Sequence, residues 1–279
     1  MHKEAYVKSY DGLELYSVKD VPEKAKGIVV VVHGFAEHLG RYEYLTKRLN
    51  DQGYGVYRFD NRGHGKTKGE RGHIKKFEDF LYDADTIVEM AKEENNSLPI
   101  YMLGHSMGGF ITASYGVKYR DKLKGQIFSG AATATSSQVK GIKGHMFKAL
   151  NKIAPKIRIK NPISKTLCKN QDVVEDYLKD ELNLKEATLN FYVEFLVKGV
   201  KWLNSHIDQY DYPCLILHGG DDKIVPKEAS ENFYSRIQSK DKKIILYEGL
   251  YHEIMNEKTR DQVMDDICIW LDANDKKAN

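Results

Sequence analysis

The sequence predicts one α/β domain, in which a mostly parallel sheet is flanked by helices and interrupted by a helical insertion. Three observations carry this prediction: a length of 279 residues, short β-branched runs separated by helical segments, and a long stretch without such runs. A chain of this length can bury one large sheet. We therefore expect residues 1–130 and 209–279 to form the core and residues 131–208 to form a helical cap.

The first part of the chain alternates between strand and helix patterns. Asp11-Gly12 lies between two strand-like segments and favours the positive φ angles of a tight hairpin turn. Four short apolar runs follow, with helical periodicity between them: Gly27 to Val32, Val56 to Phe59, Ile100 to Leu103 and Gln126 to Phe128. This alternation is typical of parallel strands joined by crossover helices.

The insertion is recognised by a change of pattern. From Ala131 to about Asp208 the sequence shows three apolar stripes at helical spacing and no convincing strand. Strand-like runs resume at Cys214 to Leu217 and Lys243 to Tyr247, and an amphipathic helix follows them. The core is therefore expected to be split by the cap.

Composition excludes several classes of protein. The longest aliphatic run, Ile28 to Val32, is far shorter than the roughly 20 residues of a membrane span. The beginning of the chain lacks the apolar stretch of a signal peptide, so we expect a cytoplasmic protein. A net charge of +3 is too weak to indicate a nucleic-acid partner. The three widely separated cysteines are expected to be free thiols, without a redox pair or a zinc site.

A candidate nucleophile lies at the end of the third predicted parallel strand. The segment Gly104-His105-Ser106-Met107-Gly108 follows Ile100 to Leu103 and precedes a helical stretch, which is the context of a nucleophile elbow. Such a turn holds the serine in a strained conformation, and side chains two residues before and after it would collide. This explains glycine at both flanking positions and makes Ser106 the candidate nucleophile.

A serine hydroxyl needs a base to accept its proton, and that base needs an orienting acid. The chain order expected for such a triad is serine, then acid, then histidine. His252 is the only histidine that follows both Ser106 and a plausible acid located after a strand. The segment after Cys214 to Leu217 offers two acids, Asp221 and Asp222. We prefer Asp222 as the partner of His252, because Asp221 is better suited to forming the turn.

The remaining requirement is a group that stabilises a developing oxyanion. His33-Gly34-Phe35 follows the strand Gly27 to Val32, and a loop there can direct a backbone N–H toward the nucleophile. We expect the amides of Phe35 and Met107 to be the two donors. The triad completes the mechanism, and the histidines lack metal-ligand spacing, so we expect no cofactor and no metal.

The motifs together resemble the monoacylglycerol lipase and lysophospholipase branch of the α/β-hydrolases. The segments that match the family occur in the expected order over nearly the whole chain: His33 to Tyr42, Asp60 to Gly65, Gly104 to Gly109, His218 to Asp222 and Tyr251 to Glu253.

The resemblance implies the same triad and the same oxyanion donors, and it implies that the cap forms an acyl-binding tunnel. Glu37 and Arg41 match a charged pair that lies near the alcohol end of the substrate in this family. We interpret the pair here mainly as a scaffold that holds its loop.

The expected activity is hydrolysis of a small-molecule lipid or ester, most simply a monoacylglycerol. A carboxylesterase for short or aromatic acyl esters would use the same triad with a differently shaped cap. A binding protein that kept the fold without catalysis would be expected to lack at least one member of the triad, and all three are present. An aspartate nucleophile, as in epoxide hydrolases and dehalogenases, is disfavoured by Ser106.

The first half of the cap carries an unusual charge pattern. From Lys122 to Gln171 there are eleven Lys or Arg residues and no Asp or Glu. Many of the basic residues alternate with apolar ones: Lys140, Lys143, Lys148, Lys152, Lys156, Arg158, Lys160 and Lys165. Such a mixture predicts peripheral contact with an anionic membrane, and the alternative is a solvated basic face that acidic residues 172–194 neutralise.

Overall fold

The structure is a computed structural model that describes residues 1–134, 142–161 and 166–276, without the side chains of residues 142–144. Within these residues it contains the following strands: β1 His2–Lys8, β2 Glu14–Asp20, β3 Gly27–Val32, β4 Tyr54–Phe59, β5 Ile100–His105, β6 Gly125–Ser129, β7 Arg158–Lys160, β8 Glu186–Thr188, β9 Cys214–Gly219 and β10 Lys242–Tyr247. The helices of the same residues are α1 Glu43–Asp51, α2 Glu78–Glu94, α3 Met107–Lys118, α4 Ile142–Ile153, α5 Gln171–Lys179, α6 Leu189–Tyr192, α7 Val200–His206, α8 Glu228–Arg236 and α9 Arg260–Lys276.

Eight strands form one sheet in the order β1-β2-β4-β3-β5-β6-β9-β10. The β1–β2 and β2–β4 pairs are antiparallel, and every other pair in this sheet is parallel. Strands β3, β4, β5, β6 and β9 are buried along their whole length, as strands covered on both faces must be. The predicted α/β sheet, its hairpin start and its parallel centre are therefore confirmed.

Two apolar layers hold helices against the sheet. On one face, α2 and α3 contribute Phe80, Ile87 and Phe110 to the larger cluster of buried side chains. On the other face, α1 and α9 contribute Leu45 and Ile267 to a second cluster. Burial of these stripes fixes the sheet between its helices and sets the positions of the strand ends.

The segment between β6 and β9, which we call the cap segment (residues 131–208), is largely helical in its described part. The expectation that it contains no strand was wrong, because β7 and β8 pair antiparallel within it. Each of these strands has three residues, which is too short for an alternating pattern to be recognised in a sequence. The division of the chain into core and cap stays a prediction.

A continuous helical run crosses the end of the cap segment. It begins with α6, continues through the π-helical residues Val193–Gly199 and ends with α7. π-helical turns are rare and concentrate at functional sites. This run packs over α3, the helix that follows Ser106.

The described part of the chain has no helix long and apolar enough to cross a membrane. Cys168, Cys214 and Cys268 are all buried and form no disulfide with one another, which confirms the expectation of free thiols.

Candidate active site

Ser106 occupies a sharp turn between β5 and α3. Its backbone angles are φ 53° and ψ −115°, in a region that residues with a side chain rarely adopt. A Cβ atom on Gly104 would lie 2.2 Å from the Gly108 carbonyl oxygen, and one on Gly108 would lie 2.0 Å from the Val32 carbonyl oxygen. Both positions therefore require glycine, and the strained turn expected from the sequence is present.

The structure brings Asp222 and His252 together. The Asp222 Oδ2 atom lies 2.6 Å from Nδ1 of His252, and both side chains are almost completely buried. Asp222 Oδ1 accepts hydrogen bonds from the backbone amides of Ile224 and Val225 at 2.8 and 3.0 Å. Asp221 is half exposed instead, with an oxygen 4.0 Å from the Lys169 ammonium. The geometry thus favours Asp222 over Asp221 as the orienting acid.

Electrostatics keep this pair in a defined protonation state. Burial alone would raise the pKa of Asp222, but the neighbouring His252 and His218 lower it well below the usual carboxyl range. Burial alone would lower the pKa of His252, and the Asp222 carboxylate outweighs burial and raises it. Since Asp222 is ionised, Nδ1 of His252 donates to it and Nε2 is left as the basic nitrogen.

His252 lies beside the serine turn. The His105 and His252 rings have centroids 4.7 Å apart, and His105 directly precedes Ser106. The Ser106 amide donates to the Ser129 carbonyl at 3.0 Å, and a Cβ atom on the next residue, Gly130, would lie 3.1 Å from His252 Nδ1. Two strand ends and the histidine loop therefore meet around the serine.

The predicted oxyanion loop passes directly over Ser106. A Cβ atom on Gly34 would lie only 3.2 Å from the Ser106 Cβ atom, so the loop approaches the serine closely. Ala36 has φ 62°, which turns the chain back immediately after Phe35. Met107 is the first residue of α3, and its amide is one of the four that have no acceptor within a helix. The loop and the helix start thus lie against the same serine.

Glu37 and Arg41 belong to a buried ionic network. Arg41 donates to Glu37 Oε2 at 3.0 Å and to both carboxylate oxygens of Glu253 at 2.6 and 2.9 Å. Glu37 Oε1 accepts from Tyr42 at 2.7 Å and from the Gly34 amide at 2.5 Å. Burial would raise the pKa of both carboxyls, but Arg41 holds them below their usual range. This geometry ties the oxyanion loop to the residue after His252, which fits the scaffolding interpretation.

The structure adds residues that the sequence reasoning did not single out. His218 Nε2 lies 3.1 Å from Asp222 Oδ2, and its Nδ1 is 2.7 Å from the Ser230 hydroxyl. The available signal was the i, i+4 spacing of His218, near the end of β9, and Asp222 beyond it. Tyr177 of the cap segment donates to the Ala36 carbonyl at 3.0 Å and stacks 4.8 Å from the Arg41 guanidinium. No local pattern could have revealed that contact, because 141 residues separate its partners.

Comparison with known proteins agrees with this architecture. A model of the Hydrolase_4 family, described as "Serine aminopeptidase, S33", matches residues 23–259. A monoacylglycerol lipase of Mycolicibacterium smegmatis is 32% identical over 257 residues, with 92% of each chain covered. The chain belongs to the monoacylglycerol lipase family of α/β-hydrolases. Phospholipase YtpA of Bacillus subtilis is 30% identical over 244 residues, covering 86% of this chain and 93% of its own length.

A solved structure extends the likeness to three dimensions. The monoacylglycerol lipase of Paleococcus ferrophilus superimposes with a TM-score of 0.84 at 32% identity, covering 94% of this chain and 99% of the other. The expected α/β-hydrolase fold is therefore confirmed, and the chain is a lipase-like ester hydrolase of that fold. The residues of the site stay a prediction, which the contacts around Ser106 favour.

Proposed function

We propose that this protein hydrolyses the ester bond of single-chain lipids, with monoacylglycerols as the preferred class, through an acyl-enzyme on Ser106. The observation that carries the proposal is the 2.6 Å contact of buried Asp222 with His252 beside the strained Ser106 turn. Support for the lipid class comes from the relatives, which include a monoacylglycerol lipase and a phospholipase.

In this mechanism the Ser106 hydroxyl attacks the ester carbonyl carbon while Nε2 of His252 accepts its proton. The amides of Phe35 and Met107 donate hydrogen bonds to the oxyanion of the tetrahedral intermediate. Collapse of the intermediate breaks the ester C–O bond, and the imidazolium protonates the departing alcohol. Water then attacks the acyl-enzyme by the same route, which releases the fatty acid and restores Ser106.

The test is Ser106→Ala. We expect at least about a 10⁴-fold loss of ester hydrolysis, since members of a triad act as a unit, with an unchanged fold by circular dichroism. Labelling by a fluorophosphonate should disappear in parallel. Ser114→Ala is a matched control, because Ser114 is a buried serine of α3 outside the site. Substantial turnover by purified Ser106→Ala would refute the mechanism.

A substrate panel tests the lipid class. Acyl length is varied with glycerol as the constant alcohol, and then the alcohol is varied at constant acyl chain. Highest kcat/KM for long-chain monoacylglycerols is expected. A maximum at short or aromatic acyl esters would instead identify the alternative carboxylesterase.

We propose further that α4 docks on an anionic lipid surface. Met146, Leu150 and Ile153 recur at helical spacing in α4 and are all exposed, with Ile153 at 84% of its full accessibility, and Ile157 just beyond the helix is exposed too. An apolar stripe of this kind, bordered by lysines, is typical of helices that lie in a membrane interface. Lys140 and Lys165 are outside the described residues, and so are the side chains of Ile142 and Lys143.

The ion pairs of the described residues leave part of the basic run available for such docking. Lys156 and Arg158 contact Glu70 of the core at 2.9 and 3.3 Å. Lys148 and Lys152 form no ion pair within the described residues. The acidic residues of the cap segment therefore do not neutralise all of its basic residues. This supports the docking hypothesis rather than the alternative of a fully neutralised basic face.

Vesicle binding tests this proposal. Replacing Lys148 and Lys152 by Gln should weaken binding to phosphatidylglycerol-containing vesicles by roughly 30-fold at low salt, at about 1 kcal/mol per lysine. Hydrolysis of a soluble short-chain ester should not change. Lys47→Gln with Lys240→Gln removes two exposed lysines outside the cap segment and serves as the control. Equal binding by both double variants, or no binding by the wild type, would refute docking.

A further inference from the structure

A buried hydroxyl group belongs to Tyr192, the last residue of α6. Its oxygen is inaccessible to solvent and makes no hydrogen bond to any described residue. Burial raises the pKa of this phenol to about 12, so it is a neutral donor over the working range of pH. Buried polar groups are nearly always hydrogen-bonded, and an exception calls for an explanation.

The position of Tyr192 suggests that explanation. Its ring lies 5.5 Å from the Phe35 ring and 6.2 Å from the Phe191 ring, measured between centroids. Phe35 is the predicted oxyanion donor, and Gly34 before it lies against Ser106. The orphaned hydroxyl is therefore on a side chain that packs directly on the loop over the candidate nucleophile.

A second unpartnered atom borders the same two rings. The His64 ring lies 5.9 Å from Phe35 and 5.6 Å from Phe191. Its Nδ1 is 3.1 Å from the Arg62 carbonyl oxygen and must donate to it, which leaves Nε2 as an acceptor. That Nε2 is buried and has no hydrogen-bond partner among the described residues. The aromatic surroundings of Phe35 thus hold one donor and one acceptor that the described protein residues do not satisfy.

The surrounding side chains indicate which half of a substrate would lie here. The alcohol must leave on the side of His252, because that imidazole protonates it. Around Tyr192 the contacts are instead aromatic and continue from Phe191 into the core, through three further rings: Phe195, Phe110 and Phe77. Apolar walls with a few placed polar groups are typical of pockets that bind an apolar ligand and fix its orientation.

We propose that Tyr192 is a specificity-determining residue, whose hydroxyl donates a hydrogen bond to an oxygen atom carried within the acyl chain of the substrate. The inference rests on the proposed ester hydrolysis and deepens it. The preferred acyl groups are oxygen-substituted rather than purely alkyl, because a plain chain leaves the Tyr192 hydroxyl unpaired and an oxygenated chain satisfies it.

The experiment compares wild type with Tyr192→Phe, which removes the hydroxyl and keeps the ring. The probes are 4-nitrophenyl esters of a straight-chain acid and of its analogues in which an ether oxygen replaces successive methylene groups. For at least one oxygen position, Tyr192→Phe should lower kcat/KM by about three- to tenfold, as expected for one buried hydrogen bond. For the plain alkyl ester, kcat/KM should change by less than about twofold. The ratio of kcat/KM between wild type and variant is taken for each ester separately, which cancels the intrinsic reactivity of that ester.

The control is Tyr101→Phe. Tyr101 also has a buried hydroxyl without a partner among the described residues, but its ring packs against Tyr54 and Trp270 on the other face of the sheet. This variant should leave the ratio unchanged. The melting temperature of Tyr192→Phe should not fall, because no hydrogen bond to a described residue is lost.

Several outcomes would overturn the inference. One is an unchanged ratio at every oxygen position, and another is an equal loss for plain and ether-containing esters. A loss that follows oxygen atoms in the alcohol instead of the acyl chain would also contradict it. Failure of the proposed function is distinguished by Ser106→Ala: if wild type hydrolyses none of the esters in a Ser106-dependent manner, both proposals fall together.

Discussion

The turn around Ser106 and the cap segment obey different constraints. At the turn, backbone atoms approach each other so closely that Gly104 and Gly108 could not carry a Cβ atom without a collision. In the cap segment, α4 leaves Met146 and Ile153 exposed. The turn is determined by backbone sterics, whereas the cap segment combines a helical run whose Phe191 and Phe195 pack into the core with an α4 that leaves apolar side chains exposed.

The two regions meet at the oxyanion loop. The Ala36 carbonyl accepts hydrogen bonds from Tyr177 and from the Leu184 amide at 3.0 and 3.2 Å, and both donors belong to the cap segment. His38 beside this loop contacts Asp180 at 2.7 Å. The comparison therefore predicts large effects for changes within the core site and progressively smaller ones toward the cap segment.

The largest effect is expected at the orienting acid. Asp222→Asn should lower kcat by about 10⁴-fold, because an amide cannot hold the His252 tautomer in which Nε2 is basic. Asp221→Asn should change kcat by less than about threefold, since that side chain is half exposed and does not contact His252. Steady-state hydrolysis of a short-chain ester measures both. If Asp221→Asn were the more damaging, the assignment of the acid would be wrong.

The next effect concerns stability at the boundary of the two regions. Arg41→Met leaves two buried carboxylates, Glu37 and Glu253, without their cation, and should cost roughly 3–5 kcal/mol of unfolding free energy. The control is Lys47→Met, which breaks a pair with Asp51 at the same i, i+4 spacing, with the two side chains 71% and 52% exposed. It should cost less than about 0.5 kcal/mol. Denaturant unfolding compares them, and similar losses would contradict the scaffolding interpretation.

The sequence predicted the regions in which chemistry and sterics act locally. The turn at Ser106 and the acid beside His252 could be located because glycines, a strand and a chain order mark them. The central parallel strands could be located because they are buried on both faces and consist largely of apolar residues. Each of these signals lies within a few residues of the feature that it marks.

The remaining features depend on contacts between distant residues. The short β7–β8 pair, the bidentate contact of Arg41 with Glu253 and the approach of Tyr177 to Ala36 join residues that no local spacing relates. The exposed stripe of α4 was recognised as a stripe, but a periodic pattern does not reveal which way it faces. The apolar face of an amphipathic helix usually packs against the core. The tertiary structure shows that the apolar stripe of α4 is exposed instead.

The smallest expected effect is on the pH dependence of kcat/KM. It distinguishes the two regions, because His252 of the core site titrates in this range and Asp180 of the cap segment does not. His252 must be neutral to act as a base, and Asp222 raises its pKa, so the acid limb of kcat/KM should lie above the ordinary histidine value of about 6.5. A single ionisation is expected, because burial lowers the pKa of the adjacent His105 to about 4. In the cap segment, burial would raise the pKa of Asp180, but His38 lowers it, so this carboxylate stays ionised across the limb.

Loss of activity at low pH should also precede any loss of fold. A group whose pKa is raised by folding stabilises the folded state most below its unfolded pKa, and this contribution is lost as the pH rises through the folded value. Protonation of His252 therefore inactivates the site without destabilising it. A pH–rate profile measured beside a thermal melt at each pH checks this. A midpoint below 6.5, or melting that coincides with the acid limb, would contradict the assignment of His252 as the base.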